Sequence, residues 1–262
     1  IDDLKDYYDS FITPSTANFI IAGNIDQKRV EKALSGLVSS WPGKKVVIPA
    51  SEGAVEPEKS ALYFVDVPGA KQSVISVAAP GPAITSSDYY PLFVANYKLG
   101  GSFNGIVNLI LREEKGYTYG ARTSVSGGKN FGTFQGSSSV RTTATLESVQ
   151  IYKEEMEKYR ESMPQEYIDF TKDALIKGDA LSYESLGSLI NMARNIAIYG
   201  LSDNYIKERE TWLRNLTPEI QLEIVRKYID PAKMYFIVVG DAETQLKEME
   251  KLVVGKPILM DL

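Results

Sequence analysis

Apolar positions along the chain follow two spacings, and the changes between them mark its elements. Leu4, Tyr7, Tyr8 and Phe11 recur at helical intervals, predicting a short helix over 4–11 that Pro14 stops. Residues 17–22 (ANFIIA) form a continuous apolar run, predicting a buried strand turned by Gly23-Asn24. Val30, Ala33, Leu34 and Leu37 share one side of a helix over 26–37, and Trp41-Pro42-Gly43 closes the unit. Residues 44–58 carry Pro49 and Pro57 with few large side chains and read as a linker. Strands follow at 61–67 and 73–79, joined as a hairpin through Pro68-Gly69. Ser87 is placed to cap a helix running to 99. A long hairpin is expected from 117–126 and 131–140 across Gly127-Gly128-Lys129-Asn130. Helices are then predicted over 146–159 (capped by Thr145), 164–177, 183–199, 203–213 and 217–228, before a strand at 234–239 and a helix at 242–252. Strands reached through hairpins, with helices between them, predict an α+β domain: a largely antiparallel sheet with helices packed on one face.

The stretch 99–120, LGGSFNGIVNLILREEKGYTYG, organises the rest. Phe103, Ile106, Val107, Ile110 and Leu111 make one apolar helical face, and Arg112 lies about 180° from its middle. Gly116 suits the helix C-terminus, with Lys115 just inside it to meet the negative end of the dipole. A strand begins at Tyr117, so Arg112 and Tyr119 flank a sharp helix-to-strand corner. An arginine on a polar helix face is most simply solvated. Gly105 and Asn108 share its side, however, and small residues there would let a peptide backbone approach. Tyr119 offers a phenol that donates a hydrogen bond while neutral at pH 7, and Tyr117 shares its strand face by period two. Gly100 and Gly101 lack the context of a phosphate loop and point to close backbone packing. Glu113 and Glu114 project about 100° apart on a helix, too divergent for one acid/base pair, and read as surface groups.

Two parts of the chain repeat. Phe11-Ile12-Thr13-Pro14 and the run to Gly23 match Tyr228-Ile229-Asp230-Pro231 and the run to Gly240 at a constant offset of 217. Each copy reads helix, proline, apolar strand, glycine, helix. This predicts that 1–43 is the carboxy-terminal end of a preceding homologous domain, that 44–58 is a linker and that 59–262 is a whole second copy. With Ile1 in place of Met, it also suggests a carboxy-terminal fragment or a processed product.

Composition narrows the chemistry. A net charge of −5 and a pI of about 5.1 argue against a nucleic-acid partner. No apolar run approaches the roughly 18 residues of a membrane span. The chain contains no Cys and no His, which removes thiolate and imidazole metal ligands and any Ser-His-Asp or Cys-His machinery.

The motif Leu99-Gly100-Gly101-Ser102-Phe103, followed by Leu111-Arg112-Glu113-Glu114-Lys115-Gly116 and Tyr119, resembles the second-half signature of the pitrilysin/insulinase family of zinc metallopeptidases. That family includes the mitochondrial processing peptidases. The resemblance implies a carboxy-terminal, non-zinc-binding half. Its partner, a zinc-bearing amino-terminal half or separate subunit, would hold the metal through His, His and Glu, with a further Glu activating water. The two halves would close into a chamber around a peptide substrate. Arg112 would anchor substrate carbonyls or stabilise the oxyanion, and Tyr119 would donate to the same oxygen; Tyr117 would be a packing residue. On this reading the chain has no metal site, no cofactor and no catalytic residue of its own, is inactive alone, and contacts neither nucleic acid nor membrane. The alternative is a non-catalytic scaffold subunit like the core proteins of the respiratory cytochrome complex; the presence of both Arg112 and Tyr119 favours the peptidase. The compartment, cytoplasm or periplasm, stays open.

Overall fold

The computed structural model describes residues 1–41, 43–49, 53–181 and 184–261. Pro42, part of the expected linker (50–52) and the expected helix start at Tyr183 lie outside the described residues. In chain order the elements are α1 (Asp2–Phe11), α2 (Gln27–Ser40), β1 (Ala61–Asp66), β2 (Gln72–Gly81) and α3 (Tyr89–Asn96). Then come α4 (Ile106–Asn108), β3 (Thr118–Gly127), β4 (Gly132–Arg141), α5 (Thr145–Glu161) and α6 (Gln165–Leu181). The last are α7 (Leu186–Tyr199), α8 (Tyr205–Arg214), α9 (Pro218–Tyr228), β5 (Tyr235–Gly240), α10 (Ala242–Met249) and β6 (Ile258–Met260). The chain divides into two compact units, one of residues 1–52 with 177–205 and one of residues 53–176 with 206–262.

The larger unit is built on a six-stranded sheet in the order β3-β4-β2-β5-β1-β6. Pairings β2–β4, β2–β5 and β3–β4 are antiparallel, and β1–β5 and β1–β6 are parallel. This is the α+β class expected. Burial alternates along the strands, as period-two side chains demand. Leu62, Phe64, Ile75, Val77, Phe134, Val140, Phe236 and Val238 point into one core, where Val149, Tyr152 and Met156 of α5 and Val225 of α9 meet them. Gly136 is small because the Tyr152 ring lies there: a Cβ would sit 3.0 Å from it. On the opposite face Tyr63, Val74, Ser76 and Tyr235 stay partly exposed.

Several expectations need correction. β1 and β2 do not pair with each other: β5 lies between them, bonded to both. A tight Pro68-Gly69 turn signals a reversal, but the turn alone cannot say whether a third strand will enter the gap. β6 was not foreseen. The N-cap of α3 is Asp88, not Ser87, and Asp88 accepts from Lys227 Nζ (2.6 Å) and Tyr228 Oη (2.7 Å). Those bonds, the lysine's first, hold its carboxyl below the usual range. Thr145 does not cap α5; its hydroxyl bonds with Ser73 Oγ (2.8 Å) instead. Thr217 does cap α9, accepting from Ile220 N.

In the smaller unit, α1 and α2 form as expected, with Asp26 capping α2 through Arg29 N at 2.9 Å. The expected strand at 17–22 is absent: the residues take no regular structure and pair with no strand among those described. Its repeat partner β5 is fully paired. The proline turn is the feature the two stretches share. A 3₁₀ turn at Pro14–Thr16 matches one at Pro231–Lys233, and in both the residue before proline (Thr13, Asp230) accepts from the backbone N–H two residues on. Phe19 is 60% exposed where its counterpart Phe236 is 0% exposed.

Candidate functional site

The helices expected to end at 99 and to carry the apolar face 103–111 are irregular. The chain widens into a π-helical turn over Tyr97–Gly101, crosses an extended Ser102, restarts as α4, and widens again over Leu109–Glu114. Phe103 therefore leaves the apolar face assigned to it and is exposed. Glycines let the backbones meet: a Cβ on Gly100 would lie 2.7 Å from Thr123 N, and one on Gly105 2.7 Å from the Cα of Gly100. Gly105 thus serves packing within this loop, not the approach of a peptide. Gly116 ends the helical stretch in the left-handed region at φ +60°, as its position predicts.

β3 is an edge strand, yet its outer backbone groups are not left bare. Asn96 Nδ2 donates to Thr123 O (3.1 Å), and Asn108 Oδ1 accepts from Ala121 N (3.0 Å). Asn108 Nδ2 also donates to Phe103 O at 2.8 Å. Two buried amides thus stand where a neighbouring strand would. Asn108 is accordingly a structural residue, contrary to its expected place beside Arg112.

Next to this clamp the strand carries a bulge. Thr118 pairs with Val140 but Ala121 pairs with Ser138, so β3 holds one extra residue. The Thr118 hydroxyl closes the bulge, donating to Gly120 O (2.9 Å) and accepting from Gly120 N (3.1 Å). The extra residue breaks period two, so Tyr117 and Tyr119 part company. Tyr119 projects outward, 94% exposed. Tyr117 turns back and donates to Glu147 Oε2 (2.5 Å), with the Arg141 guanidinium 4.7 Å over its ring. Lys115 Nζ reaches the other Glu147 oxygen at 2.7 Å. Bonds from Lys115 and then Tyr117 hold the Glu147 carboxyl below its usual value, and the bond to Glu147 raises the Tyr117 phenol.

A cavity of about 700 Å³ opens between the turn at 100–103, the bulge at 118–122, and Gln72, Val74 and 137–139 on the sheet. Tyr119 and Phe103 line it. Arg112 does not; its guanidinium packs 4.6 Å from the centre of the Phe103 ring, with Nη1 3.1 Å from Glu113 Oε1 in an ion pair that is not an aligned hydrogen bond. Arg112 thus stacks on Phe103, which lines the cavity together with Tyr119; no hydrogen bond or ion pair joins Arg112 to Tyr119 among the described residues. The sequence reading missed Asn96, Arg122 and the serines 137–139. Only an absence could have flagged this wall: residues 115–146 contain no Asp or Glu.

This loop-bulge arrangement sits in a recognisable fold. The family of peptidase M16 inactive domains matches residues 1–175. The chain belongs to the peptidase M16 family. The crystal structure of a peptidase M16 inactive domain from Pseudomonas fluorescens superposes with a TM-score of 0.74 at 21% identity, over 84% of this chain and 52% of that one. A protease from Helicobacter pylori gives 0.79 at 13% identity, over 92% and 58%. A protein of Yersinia pestis described as a predicted insulinase family protease gives 0.70 at 17%, over 95% and 57%. At these identities the likeness shows the fold. This M16 chain spans a little over half the length of these structures. No curated protein matches it. The chain has no His or Cys, and no cluster of three or more Asp or Glu among the described residues could hold a metal. Its residues therefore do not fit a zinc site. Among the described residues no helix is long and apolar enough to cross a membrane.

Proposed function

We propose that this inactive M16 domain is the substrate-holding half of a zinc endopeptidase, closing over a zinc-bearing half carried on the same or another polypeptide. The carrying observation is Tyr119: a bulge held by Thr118 turns one phenol out of an edge strand to the mouth of a cavity. A tyrosine kept for packing would be buried; this one is presented. Its hydroxyl donates a hydrogen bond without a charge and suits a peptide carbonyl. Arg112, stacked on Phe103 beside the same cavity, supplies a cation whose fork matches carbonyl or carboxylate oxygens. Preorganised donors of this kind stabilise the charge that develops on a scissile carbonyl. The metal, its ligands and the water-activating carboxylate belong to the complementary half, and this chain contributes only the hydrogen-bond donors that face the substrate. Residues 1–43, with residues 44–58 as linker, belong on this reading to the end of a preceding homologous domain, which the matching 3₁₀ turns and the exposed Phe19 support.

The test is steady-state cleavage of a quenched fluorescent peptide by this chain combined with its zinc-bearing partner. Tyr119→Phe is expected to lower kcat by about 10²–10³ with little change in KM, the mark of an interaction made mainly in the transition state. Arg112→Ala should also raise KM. Wild-type kinetics in Tyr119→Phe, with Tyr117→Phe crippled instead, would reassign the tyrosine. Wild-type kinetics in every single variant would leave the scaffold reading.

A further inference from the structure

The strands that wall the cavity differ in charge from the rest of the molecule. The chain has 34 Asp and Glu and a net charge of −5. None of those acids lies on β2, β3 or β4, the three adjacent strands that carry the cavity floor. Their outward positions are mostly neutral: Ser76, Ser124, Gln135, Ser137 and Ser139, with Gln135 Nε2 donating to Ser76 Oγ at 3.0 Å. Two arginines interrupt this surface. Arg141 lies over the Tyr117 ring at 4.7 Å. Arg122 pairs in register with Ser137, lines the cavity, is exposed, and makes no ion pair among the described residues. Of the acids that flank the acid-free stretch 115–146 in the chain, Glu113 pairs with Arg112, and Glu147 with Lys115 and Tyr117. The backbone beneath Arg122 is anchored, because the buried Tyr152 hydroxyl reaches both Ser137 O (2.8 Å) and Arg122 O (3.4 Å).

A charged, unpaired guanidinium over a neutral hydroxyl floor is a receptor for an anion. We infer that Arg122 selects an acidic side chain in the bound peptide, seating an Asp or Glu of the substrate in the cavity beside Tyr119. This rests on the peptide-binding reading above and adds a specificity residue to it. The floor hydroxyls can donate to the second carboxylate oxygen, and the acid-free strands impose no repulsion. A lysine at the same position would meet Arg122 with like charge and find no carboxylate on these strands.

The test uses the intact chain and three fluorescein-labelled decapeptides with one neutral background. Their central residue is Glu, Gln or Lys, and binding is read by anisotropy. The expected order is Glu tightest, then Gln, then Lys, with about a tenfold step from Glu to Gln that shrinks as salt rises. Arg122→Ala should equalise the three, and Arg122→Glu should reverse the order. Because Arg122 is exposed, melting temperatures should stay at the wild-type value. Lys129→Ala, at the hairpin tip in the same acid-free stretch and outside the cavity, should leave the order intact. Equal binding by the wild type, an unchanged order in Arg122→Ala, or loss of the order in Arg112→Ala but not Arg122→Ala would overturn the assignment and leave peptide binding standing. No binding by any of the three peptides at millimolar concentration would overturn the peptide-binding reading itself, and this inference with it.

Discussion

Asn108 shows how much one side chain can organise. It satisfies Ala121 N on one strand and Phe103 O on the preceding loop from a buried position. By helical spacing it looked like a solvent-facing neighbour of Arg112, and only the break in the helix turned it inward. Asn108→Leu has similar volume and no polar atoms, so it would leave Ala121 N buried and unpaired and remove the partner of Phe103 O. A buried unpaired N–H costs about 1–3 kcal/mol. The expected result is a melting temperature lower by several degrees and faster amide exchange at Ala121, read by thermal unfolding and hydrogen exchange. Unchanged exchange at Ala121 would mean that the edge strand does not depend on this clamp. Tyr119 belongs to the same scale. Its exposure comes from the extra residue and the Thr118 hydroxyl, whereas its chemistry was legible from the residue type.

At the scale of elements, the repeat provides an internal control. Residues 18–23 and 235–240 share the pattern aromatic, three apolar residues, glycine, after the same proline turn. One copy is a paired strand with a buried phenylalanine; the other has no regular structure and an exposed one. A strand's hydrogen bonds lie outside itself, so apolar sequence proposes a strand and a neighbour completes it. Helix bonds are internal, which is why α1 and α2 form in the same unit. Amide exchange should therefore separate the copies: Phe236 and Val238 protected, Phe19 and Ile21 exchanging near the free-chain rate. Comparable protection in both would show that residues 17–22 find a partner in solution, such as a second copy of the chain.

For the whole molecule, charge distribution sets the response to acid. Glu147 and Asp88 both have carboxyls held below their usual values by donors: Lys115 and Tyr117 for the first, Lys227 and Tyr228 for the second. A lowered folded value means that the unfolded chain takes up protons first. These contacts therefore stabilise the fold above the ordinary carboxylate values of 4.5 and 3.8, and the contribution is lost as pH falls through them. Both sites are near the surface, so solvent screening keeps each contribution small. Stability measured by urea unfolding should drop between about pH 5 and pH 3, and Glu147→Gln should flatten part of that slope. An identical slope in the variant would remove Glu147 from the acid response.

The sequence by itself determined the α+β class, the positions of most helices, the Gly116 corner, the absence of imidazole and thiolate ligands, and the Arg-Tyr motif that pointed to an M16 domain. These are local properties: helical periodicity, caps and glycine conformations depend on residues a few positions apart. Tertiary structure decided the rest. It inserted β5 between β1 and β2, left residues 17–22 without a strand partner among the described residues, broke the helix after Phe103, and gathered Arg122, Tyr119 and three serines around one cavity. Strand order and cavity walls join residues far apart in the chain, and their energies depend on which surfaces meet, a choice that no local pattern encodes.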